Sequence, residues 1–369
     1  MGISRRALIQ IVGGVSTAAV LGSGGLETFI TKPKAATAAM AGTAEPYVDS
    51  FAGANDDEKL DAAISYAMAQ TTKRPVLLDH RTWNFSTANR PAHSGLGVVS
   101  PFVSGDQVRG ANSISCQLNL RFAGPWFVAA DSSTFDLEFG GYGIQGNGQT
   151  QFLSSGGHVV WTSRFHDIGA TNMKALFGTP AAPFINDACI WDGYWNSNNS
   201  TGSAFVASGA DSSFFLNGGL FDTQPSMMPS NLPHLIFNQQ SSTFGSIYMT
   251  AEGRPGIRFT GNQLKANRLL GVRIEGRNAG QPSTGGLIDV QGGTQIIIGA
   301  NLGYATGAFI TQSGGSINIA DSHFYGGSGS AHSALAQTGG AARLHDNLAN
   351  FPMTYSGSNV HHDDTAMAA

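Results

Sequence analysis

The chain has 369 residues, 49 of them glycine, and only 12% are charged, with 20 basic residues against 24 acidic ones. Charge this sparse excludes a solvated disordered chain and a coiled coil, and the glycines show no three-residue period, which excludes collagen. The net charge of −4 argues against a nucleic-acid binder held by phosphate contacts, leaving a large globular protein rich in tight turns.

Ser4-Arg5-Arg6-Ala7-Leu8 leads into an apolar, Gly/Ala-rich run from Ile9 to Leu26, followed by Lys32, Lys34 and a small-residue stretch. This order of basic, apolar and small-residue regions is that of an export signal, and the adjacent arginines resemble a twin-arginine leader. Residues 1–41 are expected to be removed after Ala38 or Ala41, and the protein to be secreted, to the periplasm or beyond. The alternative is a membrane anchor. Gly13, Gly14, Gly22, Gly24, Gly25 and Glu27 make that stretch a poor span, so no stable membrane insertion is expected.

Residues 42–94 read as an N-terminal cap. Asn55, Asp56 and Asp57 suit a helix N-terminus, and Leu60, Ile64 and Ala67/Met68 recur at helical spacing. Two short strands follow, around Val76-Leu77-Leu78 and Thr82-Trp83-Asn84-Phe85. A helix of the form D-D-x-x-L-x-x-A-I-x-x-A, followed by these strands, resembles the opening of pectate-lyase-like right-handed parallel β-helices, which include secreted polysaccharide lyases and hydrolases and phage tailspikes. That resemblance implies a helix covering the open end of a solenoid. The segment Asp79-His80-Arg81-Thr82-Trp83 departs from the family, which has a Pro-Gly-Thr-Tyr-like turn there.

Residues 95–350 carry a repeat. The segments beginning at Phe214, Ile247, Leu270, Ile296, Ile317 and Ala342 each place apolar residues two apart, pointing one way on a strand. Anchored on Leu216, Met249, Val272, Ile298, Ile319 and Leu344, the last five anchors follow one another at steps of 21–26 residues. A strand-plus-turn unit of that period buries its apolar face only by stacking. Sandwich strands recur every 8–12 residues and propeller blades roughly every 40–50. The expected fold is therefore all-β, a right-handed parallel β-helix with a short N-terminal capping helix. Residues 351–369 read as an end cap or loose tail. Cys116 and Cys189 are too few and too far apart for a disulfide framework or a zinc site, and burial as small hydrophobes is expected.

Three groups of residues invite chemistry. Glu252-Gly253-Arg254 and Glu275-Gly276-Arg277 lie 23 residues apart, and in register the two glutamates would stack in adjacent coils about 5 Å apart. Such a pair raises one carboxyl pKa and suits general acid/base work on a sugar. Arg254, Arg277, Arg258 and Arg273 would hold an acidic saccharide. The competing reading is structural: three residues past the anchors the chain reads Gly219, Glu252, Glu275, Asn301, Ser322 and Asn347, resembling the polar ladder of β-helix turns.

The second group runs from Asp187 through Trp191 and Asp192 to Trp195, a sugar-stacking platform beside carboxylates or else an ordinary apolar loop. The third, weaker group is His158, His166 and Asp167.

No nucleophile elbow, Cys/His constellation or phosphate loop occurs. The acid cluster of polygalacturonase-type hydrolases and the calcium-binding aspartates of pectate lyases are also missing, so the resemblance implies a fold and supplies no active site. No metal and no cofactor is expected. The functional expectation is a secreted enzyme that cleaves a polysaccharide by hydrolysis or β-elimination, with Glu252 and Glu275 as catalytic groups. The alternative is a non-catalytic glycan-binding or tailspike-like surface protein. The tailspike resemblance implies a homotrimer; nothing in the chain specifies an oligomer.

Overall fold

The computed structural model describes residues 46–101, 116–192, 196–198, 201–211, 213–221, 232–251, 254–261, 264–276, 283–284, 286–326 and 333–363. Apart from one α-helix and one 3-10 turn, Val48–Ser50, its regular elements are strands. They stack in parallel, each on the strand one coil away. One coil runs along Thr243–Gly245, turns, runs along Tyr248–Thr250, crosses to Ile257–Phe259 and returns at Asn267–Leu270. The chain is a parallel β-helix, as its repeat predicts.

The alternation within each strand decides what fills the interior. Phe139, Phe165, Trp191, Phe215, Phe244, Leu269, Ile297, Ile319 and Leu344 form one buried column. Leu220, Met249, Ile274, Leu302, Phe324 and Ala349 form a second. Leu235, Ile257, Ile288, Ile310 and Leu335 form a third on the opposite sheet. Trp191 and Phe215 stack at 4.4 Å with planes 7° apart, and Phe215 and Phe244 at 4.9 Å and 9°. Those separations are close to the spacing of parallel strands, about 4.8 Å, so strand pairing itself sets the ring stacking. Each such pair adds roughly 0.5–1.5 kcal/mol beyond its burial.

The sharp turn between the first two strands of a coil needs a left-handed residue. Asp167, Asn217, Ser246, Gly271, Gly299, Asp321 and Asp346 all have positive φ, and the strand register places them above one another. Asn, Asp and Gly reach that region at least cost. Inward polar groups satisfy the backbone at both ends of the strand that leads into these turns. The Leu137 amide donates to Ser163 Oγ at 3.0 Å, the Ser242 amide to Asn267 Oδ1 at 3.0 Å, and the Ser322 amide to Asn347 Oδ1 at 2.9 Å. A polar ladder therefore exists, and it includes Ser322 and Asn347 as the sequence suggests. Asn301 is exposed on the outer face and is not a rung of it.

The helix Asp56–Ala69 is capped by Asn55, whose side chain accepts the Glu58 amide at 2.9 Å, while Glu58 accepts the Ala54 amide at 2.7 Å. The helix buries Leu60, Ala63 and Ala67; Ile64 is only partly covered. Asp56 and Asp57 tie the helix to the first coils. Asp56 accepts Arg81 at 2.8 Å and the Asn84 amide at 2.7 Å. Asp57 accepts the Ser86 amide and hydroxyl at 2.9 and 2.6 Å, and pairs with Arg90. Burial alone would raise the Asp57 pKa, but these donors outweigh it and lower the value. Arg81, at the point where the sequence departs from the β-helix family, also pairs with Asp49 at 2.8 Å and lies over the Trp83 ring at 3.4 Å.

Parallel stacking begins at Val76–Leu77, which pairs with Gly97–Val99, and extends to Val360–His362 on Ala341–His345. Cys116 and Cys189 are buried and free, and burial pushes both thiols up to about 12. Among the described residues no helix is long and apolar enough to cross a membrane.

Candidate functional site

The outer face of the strands Gly219–Phe221, Tyr248–Thr250, Arg273–Glu275, Asn301–Gly303 and His323–Tyr325 gathers the polar and aromatic side chains. Inward Met249, Ile274, Leu302 and Phe324 fix which neighbours point out. One outward row reads Tyr248, Arg273, Asn301, His323, and the next reads Thr250, Glu275, Gly303, Tyr325.

Glu275 is the centre of this face. It is 4% exposed at its side chain and receives three donors. Tyr248 Oη donates to Oε1 at 2.6 Å, Tyr325 Oη donates to Oε2, and Arg273 Nη2 lies 2.9 and 3.0 Å from the two oxygens. The Arg273 guanidinium stands over the Tyr248 ring at 4.9 Å, and its side chain is 54% exposed. Tyr325 packs edge-on to Tyr304 at 5.4 Å, and Phe221 packs edge-on to Tyr248 at 5.3 Å. Burial and then the bond to Glu275 push the Tyr248 hydroxyl up to about 12, and the same causes raise Tyr325. Both phenols stay protonated at neutral pH.

Gly303 makes the arrangement possible. A Cβ there would meet the Tyr325 ring at 2.3 Å. With none present, the ring lies across the coil between its own strand and that of Glu275.

The register differs from the one read off the duplicated tripeptide. Met249 pairs with Ile274, a step of 25 residues, and Glu275 pairs with Thr250. Val272 precedes the strand. The two Glu-Gly-Arg tripeptides, 23 residues apart, are therefore offset by two residues from the pairing, so the expected Glu-on-Glu stack is not the strand register. Glu252, Arg277 and Trp195 lie outside the described residues.

The other expected site residues are dispersed. Arg254 is buried; its guanidinium donates to the Gly202 carbonyl at 2.9 Å and to His234 Nδ1 at 2.8 Å. Arg258 sits on the other sheet, paired with Asp289 at 2.7 Å. Trp191 lies fully inside the aromatic column, between Phe165 and Phe215, so no face of its ring is open to a sugar. Its strand position dictates this, since Trp191 pairs with inward Phe165 and Phe215. Asp187 is buried, and Asp192 accepts Asn217 Nδ2 at 3.1 Å. Among the described residues of the expected set, only Arg273 and Glu275 come together.

A second cluster holds Glu138, His166 and Asp167. His166 Nδ1 lies 2.9 Å from Asp167 Oδ2, and Nε2 lies 3.5 Å from Glu138 Oε1. Burial opposes the charged imidazole, but the two carboxylates outweigh it and raise the His166 pKa above 6.5. His166 also lowers the pKa of Glu138.

Tyr248, Tyr325 and Gly303 were missed by sequence reasoning. The available signal was the alternation about Met249, Ile274, Leu302 and Phe324: shifting the anchors from Val272 to Ile274 brings Tyr248 beside Arg273 and Glu275 beside Gly303.

Fold and site together define a parallel β-helix protein with one tyrosine-, arginine- and carboxylate-bearing outer face. No protein-family model matches the sequence, and no curated protein matches it. Seven solved chains match by structure. The A-module of mannuronan C-5 epimerase AlgE4 from Azotobacter vinelandii is 11% identical, with 86% of this chain and 99% of that one covered and a TM-score of 0.46. A tailspike protein of E. coli bacteriophage HK620, in complex with a pentasaccharide, is 10% identical, with 84% and 61% covered and a TM-score of 0.47. Tailspike protein 3 of bacteriophage CBA120 is 10% identical, with 86% and 59% covered and a TM-score of 0.32. The chain thus spans about three fifths of each tailspike. Likeness at this identity concerns the fold and transfers no site.

Proposed function

We propose that this protein is an exported glycan-recognition β-helix that binds an acidic polysaccharide across the face carrying Tyr248, Arg273, Glu275 and Tyr325. The observation that carries the reading is the engagement of both Glu275 oxygens by two phenols and a guanidinium. A carboxylate so occupied serves to hold rings in place. It fixes two aromatic side chains and one arginine, and rigid aromatics with a planar guanidinium suit pyranose faces and sugar carboxylates. Exposed Asn301 and His323 continue the row. Export by the leader at Ser4-Arg5-Arg6 belongs to this proposal, and Arg277 and Trp195 are carried with it as further contacts.

Cleavage is the second reading, and one observation favours it. The 2.6 Å contact between the Tyr248 hydroxyl and Glu275 is a short charge-assisted bond along which a proton can move. Glu275 would then be one catalytic carboxylate and Glu252 its partner. Panels of acidic and neutral polysaccharides, assayed for binding, for new reducing ends and for unsaturated uronate absorbance, separate the two. Binding without product supports recognition. Product that disappears in Glu252→Gln and Glu275→Gln supports cleavage, and turnover unchanged in both removes these residues from any mechanism. Absence of binding to every polysaccharide overturns both.

A further inference from the structure

A cavity of about 210 Å³ opens at a corner of the solenoid, where the chain leaves the strand Arg164–Thr171 toward Ala175–Phe177. Stacked corners build it. The Lys174 amide donates to the Thr150 carbonyl at 2.8 Å, and the Gly202 amide to the Lys174 carbonyl at 3.0 Å. Gln149, Lys174, Thr201 and Ser203 supply polar walls, and Pro180 and Leu232 supply apolar ones.

Two features mark it as more than a surface dent. Lys174 is exposed and forms no ion pair among the described residues. Ser203 is 1% exposed, and its hydroxyl has no hydrogen-bond partner. Leaving a buried hydroxyl unpaired costs about 1–3 kcal/mol, and a turn of the Ser203 side chain toward the cavity it lines would let a ligand group supply the missing bond.

The wall is braced from inside by a buried relay. The Arg254 guanidinium holds the Gly202 carbonyl at 2.9 Å and donates to His234 Nδ1 at 2.8 Å. His234 Nε2 faces the Thr250 carbonyl at 2.9 Å. A carbonyl only accepts, so Nε2 carries the proton and Nδ1 receives Arg254. Arg254 is thereby a positioning residue for Gly202.

We propose that this cavity binds a single sugar unit bearing a carboxylate. Lys174 would take the carboxylate, Ser203, Thr201 and Gln149 the hydroxyls, and Pro180 and Leu232 the apolar face of the ring. The volume supports one unit, being below the roughly 300–1,000 Å³ of pockets for drug-sized ligands. This site is separate from the tyrosine face and does not rest on the reading given to that face.

The test uses the full chain with sodium glucuronate, glucose and acetate at constant ionic strength, read by calorimetry, saturation-transfer NMR and thermal shift. Glucuronate is expected to bind saturably, with glucose about tenfold weaker and acetate not saturable. Lys174→Gln should erase the preference for glucuronate over glucose. Ser203→Ala should weaken glucuronate about fivefold and leave the melting temperature of the unliganded protein unchanged or higher. Glu275→Gln should leave glucuronate binding intact. No saturable binding of glucuronate overturns the proposal, and so does acetate binding as well as glucuronate. Affinity unchanged in both Lys174→Gln and Ser203→Ala, or lost in Glu275→Gln, also overturns it, the latter by placing the ligand on the tyrosine face.

Discussion

Tyr325 donates to Glu275 across Gly303, which lies on the strand between them. Parallel strands lie about 4.8 Å apart, so the phenol spans two coils, and only a residue without a Cβ leaves room for its ring. Gly303→Ala is therefore expected to displace Tyr325 and to cost about 1–3 kcal/mol of stability through overpacking. Denaturant unfolding measures the cost. A crystal structure of the variant with Tyr325 still on Glu275 would contradict the account.

The Tyr248 hydroxyl, pushed up to about 12 by burial and by its bond to Glu275, sets an alkaline limit. Its pKa is raised on folding, so the stabilisation is complete below the ordinary value of 10.0 and is lost as pH rises through about 12. A tyrosinate absorbance titration of the native protein should show this late-ionising group, and Glu275→Gln should move it toward the ordinary range. A Tyr248 that already titrates near its ordinary value in the native protein would show that the bond is absent.

The acid limit comes from other residues. Hydrogen bonds from His93 and Ser94 hold Asp131 down to about 2, and the Ser86 and Arg90 donors lower Asp57. Both pKa values are depressed on folding, so the stabilisation is complete above the usual carboxyl value of 3.8 and fades as pH falls toward 2. The unfolding midpoint should drop across that window. Asp57→Asn should flatten the drop and cost about 1–3 kcal/mol, because Arg90, 4% exposed, then keeps Asp61 as its charged partner, at 2.7 Å, and loses Asp57. A pH profile identical to that of the parent protein would deny the role of Asp57.

Trp191 belongs to the core, where it stacks on Phe215 at 4.4 Å. Trp191→Ala should lose about 3–5 kcal/mol, seen as a lowered unfolding midpoint, whereas Trp191→Phe, which keeps a ring in the column, should leave glycan binding unchanged. Selective loss of glycan binding in Trp191→Phe, with stability intact, would return this ring to the surface.

The solenoid was legible because its physics is periodic. Apolar residues two apart, recurring every 21–26 residues, have few other ways to be buried. The Asp-rich helix start was also legible, although Asp56 and Asp57 turn out to grip Arg81 and Arg90 while Asn55 does the capping.

Register was harder to read. Coil lengths vary, and a repeated Glu-Gly-Arg draws the eye to a 23-residue step where the strands pair at 25. That slip of two residues keeps inward and outward positions correct and changes only which side chains are neighbours, whereas the anchors Leu216 and Ile298 are off by one and face outward, the inward residues of their strands being Phe215 and Ile297. Glu275 is thus placed beside Tyr248 and Tyr325, and the tyrosines stayed invisible because their partner is fixed by a glycine. Trp191 was misread for a different reason: its local neighbours suggest a loop, while Phe165 and Phe215, one coil away on either side, place it inside.

The most direct test of the central claim is the affinity for a bound acidic polysaccharide, measured by calorimetry on the parent protein, Arg273→Ala and Tyr248→Ala, with unfolding midpoints recorded alongside. The account predicts at least a tenfold loss in each variant, about 1.4 kcal/mol or more, with the fold retained. Unchanged affinity in both folded variants would contradict it.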